Sequence, residues 1–575
     1  MRVFGLVTVA FAAWSAAQEW DPMVSANDSI VQKHMLARSN MITLEKRQRQ
    51  DYNFRQNMSS VARQADALVK AIRQEEIDDY WRHYAELQNH TDERFAGMMF
   101  PLARPYIADT KLWRIVRRMP KGALLHAHLT AMLPFDVLLE TVVNTEGMVV
   151  SASQSLDTPE GRENATIAFS HVNETLPDSA GITSADYVPN TDVLVTDVVN
   201  TFPGGQDGFF AFAKTKMAVQ PENSIQHELG VDEIWRRFQA MFDPAGTLLT
   251  YEPIVRTFYQ RLFGRLAADG INWVEIRAGG SSGKLVHEGD EDPDPDLDVW
   301  WTVLQEELQK FKDSENGSNF WGARVIWSDW RGGTTAALSR SMKIALERKL
   351  KFPELFSGYD VVAQEDLGRT LADLAPELLW FQEQAANLNV SVPFFFHAGE
   401  TLGDGNSTDL NLVDALVFGT RRIGHGFSLY KHPHLIEQVI ENGVMVEVCP
   451  ISNEVLRLAT DILHHPLPAM IAHGVPTAIS NDDPAMLGQD AAGVSYDFYQ
   501  VIQGFDNVGL AGLGALAQNS IRWSHFEDQS DDEWIIDIDQ GENGDGIKAQ
   551  RLQQWKQDWE EFCQWVVSEF GSQAP

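Results

Sequence analysis

Cysteine is nearly absent: Cys449 and Cys563 are the only two in a chain of 575 residues. So few thiols exclude a disulfide framework. Cys449 ends the apolar run VMVEVC and Cys563 lies in a Trp-rich helical pattern, so both read as free thiols. Basic charge is scarce as well, with Lys+Arg 46 against Asp+Glu 81 and a formal net charge of −35. That balance repels phosphate backbones and anionic lipid, which argues against nucleic acid or a membrane surface as a main partner. Long apolar runs are missing too, and nothing after the first twenty residues could span a bilayer. The acidic stretches HEGDEDPDPDLD and HFEDQSDDEWIIDIDQGENGDG lack calcium-loop spacing and read as solvated loops.

What is present describes a large globular protein, 44% hydrophobic, with one big domain and additions to it. The start, MRVFGLVTVAFAAWSAAQEW, has one positive charge, a short apolar run and small residues before Gln18. It reads as a signal peptide over residues 1–17, which predicts a secreted, extracellular product. Sequons begin at Asn27, Asn57, Asn89, Asn164, Asn173, Asn316, Asn389 and Asn406. Asn389, just before the apolar VPFFFH, is expected to be less accessible than the rest. Residues 18–110 have helical spacing and form a helical N-terminal extension, a candidate dimerisation arm. Residues 111–575 would form the main domain, with an inserted subdomain at about 145–205 that is too long for an ordinary loop.

Eight short apolar runs recur at wide intervals: GALLHAH, NWVEIRA, ARVIWSD, GYDVVAQE, VPFFFHAG, RRIGHG, VMVEVCP and PTAISNDD. Helical patterns separate them. That is the strand count of an α/β fold of the (β/α)8 TIM-barrel kind, whose reactive groups sit at the carboxyl ends of the strands. A doubly wound open sheet is the rival, but it leaves unexplained why His, Glu and Asp gather after strands one, five, six and eight.

In GALLHAH, His126 and His128 stand two apart on an extended segment and so leave the same face. His397 after strand five and Asp482 after strand eight complete three imidazoles and one carboxylate, a set that suits one Zn²⁺ per chain with a position left for water. The other histidines, including His432, His434, His464 and His465 in KHPH and LHHP, read as exposed loop residues.

The segments MPKGALLHAH, FHAGET, RRIGHG, EVCPISN and SNDDP stand in the order and context of one known family. The chain resembles the adenosine deaminase family over most of its length beyond residue 110. Its extension, insertion and leader make it similar to the secreted branch, the adenosine deaminase-related growth factors. The resemblance implies a zinc-dependent (β/α)-barrel aminohydrolase acting on adenosine, and a homodimer paired through the helical arm. It implies that His126, His128, His397 and Asp482 hold zinc, whose water would have a pKa near neutrality. Glu400 would protonate purine N1, His425 would orient the attacking oxygen, and Asp483 would bond N7. Ala363 stands where the family has a glycine meeting N3, and it and Glu365 two positions on are expected to bind the substrate. Trp235, Phe238 and Phe242 share one helical face, either as an aromatic lid over the purine or as core.

Sugar recognition departs from the family. The ribose-binding aspartate expected after the second histidine is replaced by Leu129 and Thr130, and Trp330 stands where the secreted branch tends to have a histidine. Losing a carboxylate there removes a repulsion against phosphate, and Lys284 and Arg331 lie in glycine-flanked loops that could reach an anion. The substrate is therefore a purine nucleoside or a nucleotide: adenosine, or alternatively AMP. Two further readings remain: another barrel metallohydrolase, which would want a strand-end lysine bridging two metals, and a binding or growth-factor-like protein with a vestigial site.

Overall fold

The computed structural model describes residues 27–82, 94–177, 179–279, 284–295, 297–489 and 492–571. The leader expected at residues 1–17 and the sequon at Asn89 lie outside these. Two units separate after Gln48. The first contributes the helix Ser29–Gln48, which buries none of its residues. The second, compact unit starts at Arg49, well before residue 111. Its helix Ser60–Glu76 begins where the Ser59 hydroxyl caps Ala62 N at 3.0 Å. Ala62, Ala65, Val69 and Ile72 recur at helical spacing and are buried, facing the helices Gly509–Arg522 and Ile547–Phe570.

Strand β1 (Gly122–His128) leads into a small antiparallel sheet of β2 (Met148–Ala152), β3 (Ile167–His171) and β4 (Val193–Leu194), inside the stretch expected to be an insertion. Then come β5 (Ile271–Ala278), β6 (Gly322–Trp330), β7 (Phe356–Val362), β8 (His397–Ala398), β9 (Arg422–His425), β10 (Met445–Val448) and β11 (Thr477–Ile479). All eight expected segments form strands. They lie in two four-stranded parallel sheets, β1-β5-β6-β7 and β8-β9-β10-β11. Among the described residues no continuous ladder closes them into one ring.

Isolated bridges link the two sheets at both seams. At one, Tyr359 N donates to Pro393 O and Phe395 N to Tyr359 O, each at 3.0 Å. At the other, His128 N donates to Asp482 O at 3.0 Å and Asp482 N to His126 O at 3.1 Å. This second seam sets Asp482 beside the two histidines of β1, from opposite ends of the domain sequence.

The interior between the sheets is ionic where the sequence reads as apolar. Glu275 and Arg277 stand two apart on β5 and so point the same way. Arg277 donates to Asp360 at 2.8 Å and to Glu447 at 2.7 Å, while Arg422 donates to Glu447 at 2.5 Å and to Glu275 at 2.8 Å. All five side chains are buried. Charges this deep persist because each is paired and hydrogen-bonded; an unpaired one would cost several kcal/mol.

Both cysteines are buried free thiols. The seven described sequon asparagines are all exposed. Asn389 corrects the expectation: it sits in the turn after a helix with φ 54°, outside the core that begins at Phe394.

Candidate active site

A cavity of about 930 Å³ opens at the carboxyl ends of the strands. That is room for a small-molecule ligand. His128, His397 and Asp482 line it, and the fully buried His126 meets them, with one ligand-type atom from each of the four lying within 4.8 Å of the others. Asp482 Oδ1 is 3.3 Å from His126 Nε2 and 3.2 Å from His128 Nε2, and Ser452 O–H donates to its other oxygen at 2.7 Å. Two imidazoles are oriented from below. His126 Nδ1 contacts Glu447 at 2.8 Å and His397 Nδ1 contacts Asp360 at 2.6 Å. Each ring thereby has Nδ1 engaged and Nε2 left as the ligand atom, the arrangement in which carboxylates fix metal-binding histidines.

These residues fit a zinc ion. Three imidazole nitrogens and a carboxylate match its preferences, and His126 Nε2 is buried with no hydrogen-bond partner. Burial holds the His128 and His397 imidazoles below the usual histidine range, His397 at about 3, so both are neutral donors of a lone pair. Cys449 is close enough to join His126 and His425 in a second triad. Its thiol is pushed well up by burial and then by the Asp482 charge, which leaves it a poor ligand.

Glu400, His425 and Asp483 line the same cavity. Glu400 Oε1 and His425 Nε2 are buried without partners, as is Asp483 Oδ1. Burial, followed by the nearby Asp482 and Glu365 charges, raises the Glu400 carboxyl well above the carboxylate range. Burial and then Asp482 do the same to Asp483. Both acids are thus able to donate protons near neutral pH. His425 (φ 62°), Asp482 (φ 57°) and Ala363 (φ 86°) all occupy the left-handed region, three of the seven described non-glycine residues that do. Backbone strain of this kind gathers at functional sites.

Thr130, Leu129, Trp235, Phe238, Phe242, Trp330 and Ala363 line the cavity as well. Trp235 and Phe238 are both buried and pack edge to face at 5.3 Å, so the aromatic face serves as core and wall together. Trp330 is 61% exposed at the rim.

Several expectations need correction. Glu365 does not line the cavity: its buried carboxylate accepts Glu400 N at 2.8 Å, Gly399 N at 3.3 Å and Asn411 Nδ2 at 2.6 Å, so it holds the turn rather than a substrate. Arg331 does not reach the mouth. It is fully buried and donates to Val361 O and His397 O at 3.3 Å. Lys284 is exposed and outside the lining. His465 is buried, not exposed, and contacts Asn453 at 3.0 Å. His432 pairs with Asp409 at 2.9 Å, whereas His434 and His464 are exposed as expected.

Sequence reasoning missed Glu447, Asp360 and Ser452, which orient the metal-type ligands, and the cavity carboxylates Asp243 and Asp329. The available signal was a lone charge inside each apolar strand segment, as in VMVEV and GYDVV. A charge buried in a parallel strand needs a partner across the interior.

The family model for adenosine deaminase matches residues 213–540. Adenosine deaminase 2-A of Danio rerio is 33% identical over 450 residues, covering 76% of this chain and 82% of that protein. Adenosine deaminase 2 of Homo sapiens is 31% identical over 472 residues, covering 81% and 83%. Among solved structures, an amidohydrolase from Burkhoderia ambifaria with bound Zn aligns with a TM-score of 0.48 at 14% identity, covering 79% of this chain and 94% of that one. On these matches the chain belongs to the adenosine deaminase family of aminohydrolases, whose reaction is hydrolytic deamination.

Proposed function

We propose that this protein is a secreted deaminase that converts adenosine to inosine and ammonia, built on a (β/α)8 TIM-type barrel and using one zinc ion per chain. The observation that carries the reading is the meeting of Glu400, His425 and Asp483 in a single cavity with His128, His397 and Asp482, which His126 joins to make three imidazoles and a carboxylate. Zinc held by His126, His128, His397 and Asp482 would supply the Lewis acidity that brings a water's pKa near neutrality.

The chain's own groups do the rest. Glu400, kept protonated, donates to purine N1, which makes C6 electrophilic. His425 Nε2 faces the same space and orients the oxygen that attacks C6. Asp483, also protonated, can donate to N7, an acceptor that an ionised carboxylate could not bond. Ala363 offers its backbone N–H at N3. The C6–N bond then breaks and ammonia leaves.

The lining favours adenosine over AMP. Arg277 is the only Lys or Arg among the described lining residues, which include the Asp482 carboxylate. Arg277 is already paired with Asp360 and Glu447. With Arg331 and Lys284 elsewhere, the described lining residues offer a 5′-phosphate no unpaired Lys or Arg. Secretion rests on the leader-like residues 1–17 and the exposed sequons. Pairing into a homodimer rests on the helix Ser29–Gln48, which exposes Ile30, Met35, Leu36, Met41 and Leu44.

An ultraviolet deamination assay across adenosine, 2′-deoxyadenosine, AMP and adenine, with and without a chelator, tests the reading. Chelator-sensitive turnover of adenosine, with kcat/KM at least about tenfold above AMP, supports it. Preference for AMP would overturn the substrate assignment.

A further inference from the structure

Buried His465 and the asparagine of EVCPISN have no part in the chemistry above, yet they lead directly to His425. Asn453 is fully buried on the short helix Pro450–Val455, and His465 is 4% exposed. Leu467 N donates to His465 Nδ1 at 3.1 Å. A backbone amide can only donate, so Nδ1 carries no proton and the ring hydrogen sits on Nε2. That Nε2–H points at Asn453 Oδ1, 3.0 Å away. The contact fixes which way the amide faces: oxygen toward His465, nitrogen toward His425 Nδ1 at 3.5 Å.

The consequence passes to His425. With an N–H group at Nδ1, the imidazole accepts there and keeps its hydrogen on Nε2, the nitrogen that is buried without a protein partner. Glu400 Oε1 lies 3.6 Å from the same Nδ1 and would draw the hydrogen to that side only if its carboxyl ionised. Asn453 opposes that shift.

We propose that His465 and Asn453 are positioning residues that hold His425 as its Nε2–H tautomer, so that it donates a hydrogen bond to the attacking oxygen rather than accepting one. The role of His425 as donor rests on the deaminase reading above; the tautomer itself does not. No net proton is gained or lost: the device only decides which ring nitrogen carries the hydrogen.

Nitrogen-15 NMR of histidine-labelled, zinc-loaded full-length protein, with His425 assigned by its loss in His425→Asn, reads the tautomer directly. A pyrrole-like Nε2 and a pyridine-like Nδ1 are expected, and the reverse pattern overturns the proposal whether or not the protein deaminates adenosine. Asn453→Asp keeps the acceptor for His465 but removes the donor to His425. It should lower kcat by about 100-fold or more, with KM changed only a few-fold and zinc content unchanged, the size of loss that a wrong tautomer can cause. His465→Gln retains a donor toward Asn453 and should recover most of the kcat that His465→Leu loses. Equal kcat in those two variants would mean that His465 only packs, and would sink the relay. Absence of deamination with the expected NMR pattern would instead refute the function proposed above and leave the tautomer assignment standing.

Discussion

The buried carboxylate of Glu365 accepts the backbone N–H of Glu400 at 2.8 Å. One acid thus holds the main chain from which another acid reaches the cavity. Glu365 also takes Gly399 N and Asn411 Nδ2, so Glu365→Ala leaves three buried donors without a partner. We expect a loss of about 2–4 kcal/mol in stability. A fall in kcat should accompany it as Glu400 loses its position. Thermal unfolding and steady-state kinetics on the same preparation check both, and an unchanged Tm would rule out this role.

Glu400→Gln should bind zinc like the native protein and lose about 100-fold or more in kcat, because an amide keeps the shape but cannot protonate N1. Metal analysis alongside the deamination assay separates the two effects. Native turnover in a zinc-loaded variant would remove Glu400 from the mechanism.

His126→Ala should behave differently, losing metal and activity together. Its Nε2 is one of four convergent ligand atoms, and its removal also leaves the Glu447 contact at Nδ1 unmade. A fully metallated, active variant would shift the metal site elsewhere.

Stability should depend on pH through Glu454. Burial pushes its carboxyl up from 4.5 to about 8, despite hydrogen bonds from Gln500 and Phe100 N. Its folded pKa lies above the unfolded one, so its contribution to stability is fully present below pH 4.5 and is lost as pH rises toward 8. Glu454→Gln removes that titration. The Tm of the variant relative to the native protein should therefore climb between those pH values, by an amount equivalent to a few kcal/mol. Parallel Tm curves across the range would exclude Glu454 as the titrating group.

Deleting residues 27–48 should convert a dimer into a monomer with little change in kcat, since that helix buries none of its residues. Light scattering decides the point. A mass that stays dimeric would place the interface on the compact unit.

The eight strand segments, the histidine pair on β1 and the five motifs were legible in the chain, because periodicity and residue type are local properties. So were the free cysteines. His465 was not, since a histidine before proline looks the same whether exposed or buried. Arg331 and Glu365 misled for a related reason: a charged residue after a strand can face the mouth or the wall behind it, and one residue along a strand reverses the direction.

Local chemistry therefore specified the elements and the ligand types, and little more. That His126, near the start of the domain, meets Asp482, 356 positions later, is decided by the bridge between Ala127 and Asp482 that joins the two sheets. The ionic interior of Glu275, Arg277, Asp360, Arg422 and Glu447 exists only once four strands stand together, since each charge is tolerable there only beside its partners. Residue types are written in order along the chain; neutralising a buried charge and aiming an imidazole require groups that only folding brings within hydrogen-bond distance.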